Sequence, residues 1–276
     1  MIKTLTFKNA PVRVYDRGKG RALVFLHGFL ESSEIWEEFA EKLSEKYRVI
    51  CIDLPGHGKT ACLGYVHSMD LMAECVQTVL KQLKIKKSIL IGHSLGGYVA
   101  MAFAELFPDN VKGLCLFHSS AAADNEVKKK DRERIIKLVK QSKKDLVKNL
   151  IPGLFTTENK KIYTQEIKDL VKTARKTTKQ GIIAALEGMK ERTEREIILR
   201  FSIFPVLFIA GKKDPVIPYE VIVEQSKLPR NAKAEVLENV AHMGFIEARE
   251  ETLEIITRFA KSTFSGKVLR KRRAVT

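Results

Sequence analysis

Residues 90–97 read LIGHSLGG, between an apolar run ending KKSI and a helical pattern beginning YVAMAFAELF. A serine flanked by glycines at such a junction admits three readings. Ser94 is a turn former, a helix cap or a reactive group. Gly92 and Gly96 leave room where side chains would clash, and a tight strand-to-helix turn of this kind projects its central residue at the head of the next helix. The rest of the chain has to decide what that residue does.

Outward from this stretch, short apolar runs alternate with helical periodicities. Residues 3–9 and 12–16 read as two edge strands. Residues 22–26, 47–52, 88–91 and 111–117 read as buried strands, with helices over 33–46, 69–83 and 98–107. Strands alternating with helices imply a mostly parallel sheet covered on both faces. The alternation stops between 121 and 201, where the chain is helical, basic and broken at Pro152-Gly153 and again at Gly181. It resumes with strands over 206–210 and 234–237 and a helix over 250–262. This describes one discontinuous α/β core, 1–120 and 200–276 with a basic tail over 263–276, and a helical insertion over 121–199.

In open α/β sheets, functional groups collect at the carboxyl ends of the strands. His27-Gly28, Ser94, Asp214 and His242 each follow a different apolar run. A hydroxyl is a weak nucleophile at neutral pH. It needs a base, and the base needs a carboxylate to fix its tautomer. Serine, aspartate and histidine fall in that order along this chain, and N–H groups at a helix start can stabilise an oxyanion. Leu95 is the expected first donor and Phe29 the second.

These residues resemble the α/β-hydrolase superfamily. Gly92-His93-Ser94-Leu95-Gly96 resembles its nucleophile elbow, His27-Gly28-Phe29 its oxyanion loop, Gly211 through Pro218 its acid turn, and Ala241-His242-Met243 its histidine loop. DLPGHGKT over 53–60 resembles a further loop common there, with Thr60 where serine is usual. The resemblance implies a three-layer sandwich, an eight-stranded and mostly parallel sheet, and a helical cap inserted after the sixth strand. It assigns Ser94 as nucleophile, His242 as base and Asp214 as orienting acid. It favours hydrolysis of a small carboxylic ester, thioester or amide. Carbon–carbon bond hydrolysis, a lyase resembling the menaquinone-pathway enzyme and a non-catalytic binding protein stand as alternatives. Leu30, His118, Leu154, Phe155 and Met243 are expected at the substrate pocket. Trp36 is read as pocket or core, and His118 as pocket wall or cap anchor.

The chain has 276 residues and a formal charge of +16. Such a balance raises nucleic acid as a partner. Residues 127–148 carry ten basic and three acidic side chains, but their apolar residues recur at helical intervals without interleaved aromatics. An amphipathic helix with a solvated face is expected there, and no nucleic acid. Some cap lysines could instead face an acidic substrate. No H-E-x-x-H, Walker A or G-x-G-x-x-G motif is present, so neither a metal nor another cofactor is expected. The start MIKTLTFKN lacks an apolar signal core. The four cysteines are widely spaced, which points to thiols rather than bridges. The expected setting is cytoplasmic, as a monomer or homodimer without a membrane span.

Overall fold

The computed structural model describes residues 1–266. Eight strands form one sheet: β1 (Ile2–Phe7), β2 (Ala10–Arg17), β3 (Ala22–Leu26), β4 (Arg48–Ile52), β5 (Ser88–His93), β6 (Val111–Phe117), β7 (Val206–Gly211) and β8 (Ala232–Leu237). Their spatial order is β1-β2-β4-β3-β5-β6-β7-β8. β2 is antiparallel to both neighbours, and every other pairing is parallel. β3, β5 and β7 are buried at every position. Side chains alternate between the two faces of a strand, so complete burial means both faces are covered. β1, at the edge, alternates exposed and half-buried residues.

The described helices are α1 (Glu37–Leu43), α2 (Met69–Gln82), α3 (Leu95–Leu106), α4 (Glu126–Leu150), α5 (Thr157–Ile162), α6 (Thr164–Lys176), α7 (Lys179–Lys190), α8 (Glu196–Arg200), α9 (Tyr219–Gln225), α10 (Gly244–Glu247) and α11 (Arg249–Phe264). The helical cap region, α4 to α8, leaves after β6 and returns before β7, as expected. Four local expectations change. The helix expected over 33–46 opens with a 3-10 turn, Ser33–Trp36, which Ser32 caps by accepting from the Glu34 N–H. Gly181 does not break the chain. It lies in the first turn of α7, where its N–H bonds the capping Thr178 hydroxyl at 3.0 Å. The basic amphipathic helix is α4, but Ser142, at φ −145° and ψ 90°, divides it in two. The tail expected over 263–276 begins inside α11, which includes Thr263 and Phe264; residues 267–276 lie outside the described residues.

One apolar core runs from the sheet into the cap, joining Val24, Ile91 and Phe208 to Val139, Leu186 and Leu199. Trp36 belongs to it, fully buried with its ring centroid 5.1 Å from that of Phe25. The cap docks through α7. A Cβ on Gly188 would lie 1.7 Å from the His67 carbonyl oxygen, and one on Gly181 would lie 2.3 Å from that of Gly56. Only glycine allows so close an approach. Between them the His67 N–H bonds the Ala184 carbonyl at 2.9 Å. Among the described residues no helix is long and apolar enough to cross a membrane.

Candidate active site

Ser94 caps α3 at φ 48° and ψ −113°, backbone angles that a side chain rarely adopts. The strain is held by close packing on both sides. A Cβ on Gly92 would lie 2.3 Å from the Gly96 oxygen, and one on Gly96 would lie 2.3 Å from the Leu26 oxygen. The Ser94 N–H bonds the Phe117 carbonyl of β6 at 2.9 Å, and Ser119 Oγ donates to the Ser94 carbonyl at 2.8 Å. Across residues 88–104, Ser94 is the one position that is not buried. The Ser94 side chain makes no capping bond to the helix. The cap reading of the sequence therefore does not describe it.

Asp214 follows β7, and its side chain is fully buried. Its Oδ1 accepts from the N–H groups of Val216, at 2.8 Å, and Ile217, at 3.0 Å. Its Oδ2 faces His242 Nδ1 at 2.8 Å and His118 Nδ1 at 3.0 Å. Burial alone would raise this carboxyl, but the two rings outweigh it and hold it well below the usual carboxylate range. Bonded this way to a carboxylate, His242 carries its proton on Nδ1 and leaves Nε2 free to accept one.

The ring of His242 and Ser94 line one cavity of about 190 Å³. Leu154 lines it too, with Ile135 and Leu150 from α4 and Leu186 and Met189 from α7. Phe29 and Val216 supply the core side. Leu95 is the first residue of α3, so its N–H has no acceptor within the helix. The Phe29 N–H has no acceptor among the described residues. Four residues expected at the pocket do not line it. Leu30 is packed into the core at φ 64°, and Met243 is wholly buried. Phe155 is buried at the end of the turn after α4. His118 sits behind Asp214, where burial pushes its ring down to about 4 and keeps it neutral.

Two groups at the cavity escaped the sequence reading. Glu31 is buried and accepts from the Gly28 N–H at 2.5 Å, bracing the loop after β3. It also meets His93 Nδ1 at 3.1 Å, while His93 Nε2 lies 2.9 Å from the His242 carbonyl oxygen. Burial pulls the His93 ring down, but Glu31 overrides it and holds the ring above its ordinary value. His93 thus donates from both nitrogens, joining the loop after β3 to the loop that carries His242. The second group is Arg132 of α4, which reaches the cavity from the cap.

His118, Asp214 and His242 bring three ligand-type atoms within 4.8 Å of one another. The carboxylate atom among them is Asp214 Oδ2; Oδ1 is filled by backbone N–H groups, and His118 Nδ1 also accepts from the Gly211 N–H at 3.3 Å.

A family described as having the alpha/beta hydrolase fold matches residues 21–249. The chain belongs to that family. This hydrolase is 27% identical over 247 residues to the pimeloyl-[acyl-carrier protein] methyl ester esterase of Pseudoalteromonas atlantica, covering 86% of this chain and 93% of that one. A thermophilic esterase from Thermogutta terrifontis, solved with malate bound, superposes with a TM-score of 0.88 at 25% identity, over 95% of this chain and 97% of that one. The enol-lactonase of Burkholderia xenovorans LB400 shares the fold at a TM-score of 0.87 and 17% identity, over 94% of the hydrolase and all of the lactonase chain.

Proposed function

We propose that this hydrolase cleaves small carboxylic esters through a Ser94 acyl-enzyme, with thioesters and amides as related substrates. One observation carries the reading. His242 Nδ1 is 2.8 Å from the Asp214 carboxylate while the same ring shares a cavity with Ser94. Asp214 fixes the tautomer, and Nε2 takes the Ser94 proton as Oγ attacks the acyl carbon. The displaced electron pair moves to the carbonyl oxygen, held by the N–H groups of Phe29 and Leu95. The His242 imidazolium then gives its proton to the leaving alcohol as the ester C–O bond breaks. A water repeats the sequence on the acyl-enzyme, transferring its proton to His242. The acid departs and the proton returns to Ser94.

Residues 121–199 act as the cap over this site, on a core of 1–120 and 200 onward, of which residues to 266 are described. The esterases among the relatives support ester substrates. Four unbridged thiols, three of them buried, support a reducing, cytoplasmic setting.

A fluorophosphonate probe tests the nucleophile. Wild-type protein should label, and Ser94→Ala should neither label nor turn over ester. Equal labelling of both proteins overturns the assignment. The cavity, about 190 Å³, is below the roughly 300–1,000 Å³ of sites for drug-sized ligands. Across p-nitrophenyl esters, kcat/KM should therefore peak at acyl chains of about two to four carbons and fall at least tenfold by eight. A rising trend to long chains contradicts a closed small cavity.

A further inference from the structure

The cap beside the cavity gathers positive charge around one buried carboxylate, and Arg132 brings that cluster to the cavity wall. Asp124 is a fully buried carboxylate, and two guanidinium groups share it. Arg132 engages it through Nε and Nη2. Arg192 engages it through Nη1 at 2.6 Å, and donates elsewhere to the carbonyls of Ala122 and Met189, both at 3.1 Å. Arg192 also stacks over Tyr98, whose ring wall faces the cavity, with Cζ 3.9 Å from the centroid.

Lys128 adds a third cation. It precedes Arg132 by one helical turn, so the two side chains lie on one face of α4, with Ile135 continuing that face into the cavity. Lys128 forms no ion pair and no side-chain hydrogen bond among the described residues, yet it is half-buried. Burial pushes its ammonium below the ordinary lysine value; Asp124 is the main charge opposing that shift, Arg192 and Arg132 add to it, and Asp214 is felt least. A cation in the first turn of a helix also opposes the helix dipole.

Glu31 is matched by His93, while Asp214 is hydrogen-bonded by His242 and His118 without losing its negative charge. Lys128, Arg132 and Arg192 against Asp124 and Asp214 leave one positive charge unmatched. An unmatched charge in a half-buried place lowers stability unless a ligand answers it. Arg132 still has Nη1 unengaged among the described residues, on the guanidinium that lines the cavity. One carboxylate would restore neutrality and accept from that nitrogen.

We propose that the preferred substrates are esters bearing a carboxylate, received at the cap wall by Arg132 and Lys128. The proposal rests on the ester-hydrolase reading and names its substrate class. The carboxylate belongs to the acyl arm or the alcohol arm, and matched pairs of esters separate the two. Monomethyl glutarate is compared with methyl pentanoate, and carboxymethyl butanoate with propyl butanoate.

At low salt, wild-type full-length protein should show at least a tenfold higher kcat/KM for the anionic member of one pair, mostly through KM. The preference should shrink as salt is raised. Lys128→Gln breaks no ion pair, so the fold is retained, and the anionic-to-neutral ratio should fall at least fivefold. Arg132→Gln should lower that ratio further, and Arg132→Lys should restore part of it. Titration with glutarate gives a readout independent of turnover, with Kd expected to weaken at least fivefold in Lys128→Gln. Equal or reversed preference in both pairs overturns the proposal. So does a ratio that neither substitution moves, or glutarate binding that Lys128→Gln leaves unchanged. Glutarate binding that needs Lys128, without turnover of any ester or Ser94 labelling, would instead overturn the ester-hydrolase reading and leave the anion site standing.

Discussion

Glu31 braces the oxyanion side of the site from below. Its carboxylate holds the Gly28 N–H and the protonated His93 ring in a buried place. Removing one partner of a buried ion pair costs about 3–5 kcal/mol, because the other charge is stranded. Glu31→Gln should therefore lower urea stability by about 3 kcal/mol, and the double variant with His93→Gln should recover part of it. Turnover should fall in both, since the oxyanion loop loses its brace. A loss under about 0.5 kcal/mol in the single variant would show that the pair is not an ion pair. Ser94 was legible in the sequence because the glycines around it report a backbone problem that few sequences solve. Glu31 was not. It stands before two serines ahead of a helical turn, where a carboxylate reads as capping chemistry, and its partner is 62 residues away. Arg132 was hidden differently, as one of ten basic residues between 127 and 148. Sequence cannot say which of them turns inward.

Helix α7 meets the core through backbone approaches as well as through its buried side chains. Gly188→Ala would add helix propensity worth about 1 kcal/mol. It would also drive a Cβ to 1.7 Å from the His67 oxygen, and overpacking against a backbone that cannot turn aside costs about 1–3 kcal/mol. The clash should win. Urea denaturation should show a net loss of about 1–2 kcal/mol, and kcat/KM should drop as Leu186 and Met189 move at the cavity wall. A stabilised variant with full turnover would contradict the docking. The core strands were legible because burial on both faces leaves continuous apolar runs. The cap was legible only as helical, because its boundaries depend on contacts with the core. Gly181 is a breaker by local preference, yet its place is set by the Gly56 backbone. Ser142 interrupts a periodicity that continues on both sides of it.

At the scale of the molecule, the buried histidines set the response to acid. His57 is pushed down to about 3 and His118 to about 4 by burial, and His27 and His67 shift the same way. Their ordinary value is 6.5. Below it the unfolded chain takes up protons that the folded chain refuses, so these rings stabilise the fold above 6.5 and withdraw that support as pH falls toward 4. Asp214 and Glu31, held low in the fold, lose their contributions when still more acid protonates them. His93 acts in the opposite sense. Its contribution is complete below 6.5 and fades as pH rises through its raised value. Four rings oppose one, so the urea midpoint should fall clearly between pH 7 and pH 5, with a shallower slope in His57→Gln. A flat profile would mean that these rings are hydrated. The glycine contacts of α7 have a separate bearing on how substrate enters. A panel fixed by backbone at Gly181, Ala184 and Gly188 serves as a jamb, not a door. α4, divided at Ser142 and without a glycine of its own, has no such backbone latch, and it brings Arg132 to the cavity where an incoming anion would first be met.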